Sequence, residues 1–552
     1  MNKGGSSLKV TFLGGAKTVT GSCFWLEDSD LSVLVDCGLF QGGSEANELN
    51  KADLFFDPAA LDALLLTHAH IDHSGLIPRL LREGFQGKIY ATEASIQLCQ
   101  IMLRDSAHIQ EMEAEWINRK RSRAGEAHIE PLYTQADAEH ALTLFEAVEY
   151  DQHFSLNDSV NVVFRNAGHI LGSALIEFAF PVDGQTQTIV FTGDLGREDQ
   201  PIICDPHSIE AAEYLVIEST YGNRFHSNGP EEKRRQLYEV LKEAIERKGK
   251  IIIPAFAVAR TQDLLYELNH LIEEKKIPQI PVYIDSPLAI SATEIFAGNP
   301  EYYDQKTKKL IARGDDPFEF PGLSIARTVD ESKALNTSSE PAIIISASGM
   351  CEAGRIKHHL KHNLWKPETT VLFIGFQAKG TMGRRIMDGE KRVKIFGEDI
   401  TVKAQIRSIE GFSSHADKND LINWVGALSQ TLKKIFIVHG EEEASMELAQ
   451  ALQEKYGVDT VVPERGQAFQ ITPDEVRVDI LPKKISVEEV PEKLPISADA
   501  NTFYELMQTF EKEVLGSETP TRQRVIELQT DIMKKMLDLV KKEALRQKGE
   551  AQ

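Results

Sequence analysis

The chain lacks a hydrophobic run long enough to cross a bilayer: nowhere do its 552 residues approach the roughly 20 consecutive apolar positions that a spanning helix needs. The opening stretch MNKGGSSLKVTFLGG also has no apolar core of the signal-peptide kind, so the sequence predicts neither secretion nor membrane insertion. Cysteine is scarce. The five present (Cys23, Cys37, Cys99, Cys204 and Cys351) are odd in number and widely spaced, which argues against a disulfide framework or a cysteine-rich zinc site and fits reduced thiols in a cytoplasm. Positive charge is short as well, with 61 Lys and Arg against 84 Asp and Glu, a net charge of -23. Binding a polyanion normally uses a basic surface, so this balance weighs against nucleic acid as a partner. It does not decide the matter, because divalent cations held by carboxylates can reverse the field locally.

What is present is ordinary for a compact globular protein: 42% hydrophobic and 26% charged residues. The length is too great for one core and predicts two to four domains. From Leu8 to Asp194 short β-rich runs dominate (LKVTFL, SVLVDCG, KIYAT, VNVVFRN, ALIEFAF, TIVFTGD), with a helical pattern from Ala94 to Arg121. EEKRRQLYEVLKEAIERKG then opens a stretch where helix and strand alternate, which predicts an inserted α/β domain with a parallel sheet. The strand-like KKIFIVHG returns to the first pattern, so the first domain is expected to be completed by later sequence. After about Lys483 a charged, Pro-containing linker precedes a helical tail with Val525, Leu528, Ile532, Met536 and Leu539 as an apolar stripe.

The strongest signal is THAHIDHSG, where His68, His70, Asp72 and His73 crowd three imidazoles and a carboxylate into six positions after the apolar run DALLLT. With 16 histidines in the chain, three at one fixed spacing would arise by chance on the order of 0.015 times. Nitrogen and oxygen donors of this kind suit zinc. His169 in NAGHILGS and Asp194 in FTGDLGR each lie just past a predicted strand, where loops build sites, although each alone reads more readily as structural. Asp36 in VLVDCG reads alone as a strand-end turn former.

Taken in order, these motifs resemble those of the metallo-β-lactamase fold, a four-layer αββα sandwich. The resemblance implies that His68, His70 and His169 hold one zinc, that Asp72, His73 and His439 hold a second, that Asp194 bridges the two, and that Asp36 supports them from behind. Glu218 in VIESTYGNR, His415 in GFSSHADK and His439 in FIVHGEEE look like the additional motifs of the β-CASP family, whose members cleave nucleic acids. Segments outside these motifs, PAFAVARTQ, SASGMCEAGR and GFQAKGTMGRR, extend the resemblance over roughly residues 8 to 470. It is similar to bacterial and archaeal β-CASP ribonucleases and to the endonuclease subunit of the eukaryotic pre-mRNA 3′-end cleavage complex.

The implied organisation is a metallo-β-lactamase domain begun by residues 1–220, a β-CASP domain over 221–398, completion of the first domain with an RNA-specificity region over 399–483, and a helical extension over 484–552. The implied activity is zinc-dependent, two ions per chain, on single-stranded RNA, endonucleolytic with 5′-exonuclease activity as an option, leaving 3′-hydroxyl and 5′-phosphate ends. His415 is placed as the acid, kept cationic by Glu218, with Asp72 and Asp194 completing the catalytic set. Histidine at position 439 marks the RNA-acting branch. Ser346, Ser348 and Gly349 are candidate phosphate contacts, though a plain strand-to-helix turn accounts for them equally. Arg260, Arg355, Lys379, Arg384 and Arg385 are candidate RNA contacts, against the commoner reading of a solvated face. The rivals are a DNA nuclease of the same family and a metallo-hydrolase of small esters or thioesters, which would have no use for Glu218 and His415. The tail leaves a homodimer open.

Overall fold

The computed structural model describes residues 7–182, 184–226, 229–375, 377–378, 380–472 and 476–480. The helical tail expected after Lys483, with its stripe from Val525 to Leu539, lies outside them, as does Lys379. Eleven strands precede the insertion: β1 (Leu8–Gly14), β2 (Cys23–Glu27), β3 (Ser32–Val35), β4 (Ala63–Leu65), β5 (Lys88–Thr92), β6 (Phe145–Val148), β7 (His153–Ser155), β8 (Asn161–Asn166), β9 (Ala174–Val182), β10 (Gln185–Phe191) and β11 (Tyr214–Glu218). Then come β12 (Ile251–Pro254), β13 (Val282–Ile284), β14 (Leu323–Ile325), β15 (Ile343–Ser346), β16 (Thr370–Phe373), the hairpin of β17 (Arg392–Ile395) with β18 (Glu398–Thr401), and β19 (Gln405–Ser408). Last among the described residues come β20 (Lys434–Val438), β21 (Asp459–Val461), β22 (Gln467–Ile471) and β23 (Val476–Ile480).

These strands build two sheets that pack face to face, in the orders β23-β22-β1-β2-β3-β4-β5-β6 and β21-β20-β11-β10-β9-β8-β7. Their shared interior is aromatic and β-branched: Phe12, Phe24, Val33, Val35 and Phe469 from the first sheet meet Phe164, Phe178, Phe191, Val216 and Phe436 from the second. The run DALLLT shows why sequence pattern and position agree. Strand β4 is central and parallel to both neighbours, so Leu65 faces the inter-sheet core while Leu64 faces the helices on the outer side, and no polar residue is tolerated. Helix Glu93–Ala124 covers that outer side through Leu98, Met102 and Leu103. Helices Lys418–Gly426 and Glu442–Tyr456 cover the outer side of the second sheet through Leu421, Val425, Leu448 and Leu452. The result is the αββα sandwich expected from the motifs.

The insertion, joined by β19 from beyond its expected end at residue 398, forms a third sheet, β14-β13-β15-β12-β16-β19, all of it parallel. Helices cover both faces of it, with one apolar cluster centred on Leu264, Leu268 and Ile345 and the other on Leu360, Phe373 and Ile386. Among the described residues, no helix is long and apolar enough to cross a membrane.

Candidate metal centre and proton donor

Every motif residue stands where a strand ends. Asp36 follows β3, His68 to His73 follow β4, His169 follows β8, Asp194 follows β10, Glu218 is the last residue of β11, and His439 follows β20. Because β3 and β4 are parallel, as are β10, β11 and β20, their carboxyl ends and the loops beyond them converge on one edge of the sandwich. His415 reaches the same edge on the loop after β19. That loop is stitched to the Asp194 loop by Arg197 N–H to the Ser414 carbonyl (3.1 Å) and Ala416 N–H to the Leu195 carbonyl (2.8 Å).

The carboxylate of Asp194 sits at the centre. Its Oδ2 lies 3.5 Å from both His68 Nε2 and His169 Nε2, and its Oδ1 lies 3.2 Å from His73 Nε2 and 3.4 Å from His439 Nε2. His70 Nδ1 completes the first group, 3.1 Å from His68 Nε2 and 3.3 Å from His169 Nε2. Asp72 joins the second, its Oδ2 3.9 Å from His439 Nε2. Two groups of donor atoms therefore share one carboxylate: His68, His70, His169 and Asp194 in one, and Asp72, His73 and His439 in the other.

These donors fit zinc. Two ligand atoms about 2.05 Å from a tetrahedral ion are about 3.3 Å apart, the spacing found here. His73 Nε2 and Asp194 Oδ1 are buried 3.2 Å apart without a well-formed hydrogen bond, and a cation between them would satisfy both. Three of the imidazoles are also oriented through their far nitrogen. His73 Nδ1 lies 2.7 Å from Asp36 Oδ2, His68 Nδ1 lies 3.1 Å from Thr67 Oγ1, and His439 Nδ1 lies 2.7 Å from Ser22 Oγ. Asp36 is fixed in turn by the Thr67 amide and hydroxyl, each donating at 2.8 Å. Its backbone is left-handed (φ 59°), a conformation an aspartate tolerates better than a branched residue.

Burial depresses His68 and His169 well below the usual imidazole range, with neighbouring imidazoles adding to it, and burial brings His70 down to about 4. These three are neutral near pH 7 and offer lone pairs. His73 differs. Burial acts against its charge, but Asp194 and Asp36 outweigh it and push the imidazole well up, so a metal binding there has to displace a proton. Burial would likewise raise Asp194, yet His439, His73 and His415 hold it well below the carboxylate range.

His415 stands at the rim, its side chain 18% exposed, with Nδ1 3.1 and 3.2 Å from the two oxygens of Glu218. Glu218 is fully buried and fixed by the amides of Leu195 (2.7 Å) and Thr220 (3.2 Å). Burial opposes charge on His415, but Glu218 and then Asp194 raise its affinity for a proton above the ordinary value. The ring lies against His169, centroids 4.5 Å apart, and its backbone carbonyl accepts from His226 Nε2 at 2.9 Å.

The phosphate and RNA candidates divide. Arg260 opens helix Arg260–Glu273 beside the cluster, near enough to oppose charge on His169 and His415, and its Nη1 lies 3.3 Å from Asp263, whose carboxyl burial lifts to about 6. The others are engaged elsewhere. Arg355 binds Asp285 (2.6 Å) and the carbonyls of Ala326 and Arg327 (2.9 Å each), while Arg384 pairs with Asp388 and Arg385 with Glu390. Ser346 is buried and donates to the Asp285 carbonyl, and Ser348 accepts from the Glu352 and Ala353 amides within its own loop. Gly349 lies under the Phe256 ring, which a Cβ there would meet at 2.9 Å. The helix beyond this loop begins only at Ile356. Ser22 and His226 carried no signal in the sequence, because their roles come from residues distant along the chain.

Comparison with known proteins agrees with the geometry. Residues 16–109 match the metallo-beta-lactamase superfamily, 261–386 the Beta-Casp domain, and 399–463 the Zn-dependent metallo-hydrolase RNA specificity domain. The chain is 35% identical over 445 residues to a ribonuclease of Thermus thermophilus, covering 81% of this chain and 96% of that protein. It is 32% identical over 465 residues to an RNase J-like protein of Methanocaldococcus jannaschii, covering 84% and 99%. It is 31% identical over 481 residues to the transcription termination factor FttA of the same organism, covering 84% and 72%.

Proposed function

We propose that this chain, which belongs to the β-CASP family of the metallo-β-lactamase superfamily, cleaves single-stranded RNA by hydrolysis with His415 as the proton donor. Family membership makes it a zinc-dependent metallo-hydrolase of an RNA-specific kind. The single observation that carries the finer reading is the Glu218–His415 pair set against the Asp194-centred donor cluster. A hydrolase of small esters has no need of a second, oriented imidazole beside its metal ligands. The near-complete match to a ribonuclease, against 72% of the termination factor, favours cleavage as the activity.

His68, His70 and His169 would hold one zinc and Asp72, His73 and His439 the other, with Asp194 shared. Two bound zinc ions supply positive charge that acidifies a water and offsets the charge developing on a phosphodiester. Asp72 and Asp194 accept hydrogen bonds from the attacking water and so fix its direction. The water passes one proton to Asp72 and bonds through its oxygen to phosphorus, the bond from phosphorus to the ribose 3′ oxygen breaks with its electron pair going to that oxygen, and His415 gives the leaving oxygen a proton. The products are a 3′-hydroxyl and a 5′-phosphate. Glu218 holds His415 in the donating form and orientation, and Arg260, paired with Asp263 beside the cluster, would meet a phosphate oxygen.

The test uses wild type with measured zinc content, end-labelled RNA, the matching DNA and a small thioester. RNA fragments carrying 5′-phosphates, with DNA left intact, are expected. Thioester hydrolysis with no cutting of either polymer would overturn the reading.

A further inference from the structure

The acidic balance of the chain is inverted in one part of the β-CASP domain. Segments 355–366 and 391–403 carry four Lys or Arg each, against only Glu398 and Asp399, in a protein of net charge -23. The fold makes them neighbours. Ile356, Leu360 and Leu364 share an apolar cluster with Val393 and Ile395 of β17, and the Leu364 carbonyl accepts from the Lys403 and Ala404 amides at 2.8 and 2.9 Å.

That inward apolar set determines what faces out. Strand β17 alternates, leaving Arg392 and Lys394 exposed between Val393 and Ile395, and helix Ile356–Asn363 leaves Lys357, His358, Lys361 and His362 accessible. Arg355 is the exception, turned in to Asp285, and Lys361 is paired with Glu398. Two large rings lie open among these cations, Trp365 and Phe396, each 51% exposed. Lys366 Nζ stands 5.5 Å from the Trp365 ring, Lys357 Nζ stands 5.2 Å from the Phe396 ring, and the His358 imidazole lies on Phe396 at 4.6 Å and 34°. The local field is positive: His358 and His362 are both depressed, first by burial and then by flanking histidines and lysines.

We propose that this face is a second RNA-binding surface, where Arg392, Lys394 and Lys357 meet phosphates and Phe396 and Trp365 stack on bases of a single strand. The occupant follows from the Proposed function; the surface itself follows from charge and shape. Cations alone would suit any polyanion, but open rings set between them suit one with exposed planar bases. A second exposed pair, Lys120 Nζ 3.4 Å over Trp116, has a different origin. Its neighbours Arg119 and Arg121 are paired with Glu115 and Glu126, and cations in the last turn of helix Glu93–Ala124 offset the helix dipole. It serves as the control.

The zinc-loaded full chain carrying His415→Ala is titrated with fluorescein-labelled single-stranded RNA of about 30 nucleotides across a salt series. Phe396→Ala, Trp365→Ala and the pair Arg392→Ala with Lys394→Ala are each expected to weaken binding about five- to twentyfold, and Lys120→Ala less than twofold. The paired substitution should also flatten the slope of log affinity against log salt by about 1.4, the value for two lost contacts to a single strand. In the active background, KM for the long RNA should rise with kcat unchanged. Unaltered affinity, or an equal loss from Lys120→Ala, overturns the proposal. Because binding is read on the inactive chain, a wild type that cuts no RNA contradicts the proposed reaction separately, and the titration still decides the surface.

Discussion

At the scale of single residues, the side chains behind the donors are as consequential as the donors. Ser22 orients His439 from 2.7 Å, and losing such a support typically costs 10- to 100-fold in metal affinity. Ser22→Ala should therefore weaken zinc binding at the group of Asp72, His73 and His439 about 10-fold or more, measured by competition with a chelating dye, with less effect at the group of His68, His70 and His169. Glu218 gives a pH prediction. A general acid works while protonated, and Glu218 and Asp194 raise His415 against the effect of burial, so activity should persist as pH rises and fall only above the ordinary imidazole range. Glu218→Gln removes the larger of the two carboxylate effects, and the alkaline fall in kcat/KM should move to lower pH. Four of the donors were readable because His68, His70, Asp72 and His73 sit in six consecutive positions, whereas His169, Asp194 and His439 stood out only through the family resemblance. Ser22 was not readable, because its role is set by a residue 417 positions away.

At the scale of elements, the site depends on how closely loops can approach. Gly38 follows the strand that presents Asp36, and a Cβ there would fall 1.7 Å from the Asp72 carbonyl oxygen. The Gly38 amide meanwhile donates to the Ser22 carbonyl, and the Ser22 amide to Asp72, each at 2.9 Å. Gly38→Ala should push the Asp72–His73 loop away and lower zinc content toward one ion per chain, with the circular dichroism of the sheets retained. Long apolar runs such as DALLLT and KIIIPAF were legible as strands because they are buried on both faces. Strand β2 was not singled out, although Phe24 and Leu26 alternate inward, and β22 rests on only Phe469 and Ile471. Short half-buried strands give too few alternations to stand out from loops.

At the scale of the whole molecule, metal and fold are linked. Five imidazoles and two carboxylates from both sheets meet at the cluster with buried polar atoms unsatisfied, so ions that bind only the native state should stabilise it. Removing zinc with a chelator is predicted to lower Tm by several degrees, reversibly on re-addition, with the zinc requirement growing steeper as pH falls because His73 must release its proton. Net charge was the least informative whole-chain number: it counted 84 carboxylates without showing that His-rich loops and one cationic face are segregated from them. That segregation is tertiary and does not appear in composition.

If His415 protonates the leaving 3′ oxygen of RNA, replacing that oxygen by sulfur removes the need for it, since a thiolate leaves without a proton. Zinc-matched wild type and His415→Ala would be compared in single-turnover cleavage of a normal RNA and the same RNA with a 3′-bridging sulfur. A loss of about 10²- to 10⁴-fold is expected for the variant on the oxygen substrate, with near-equal rates on the sulfur one. An equal loss on both substrates would contradict this role for His415.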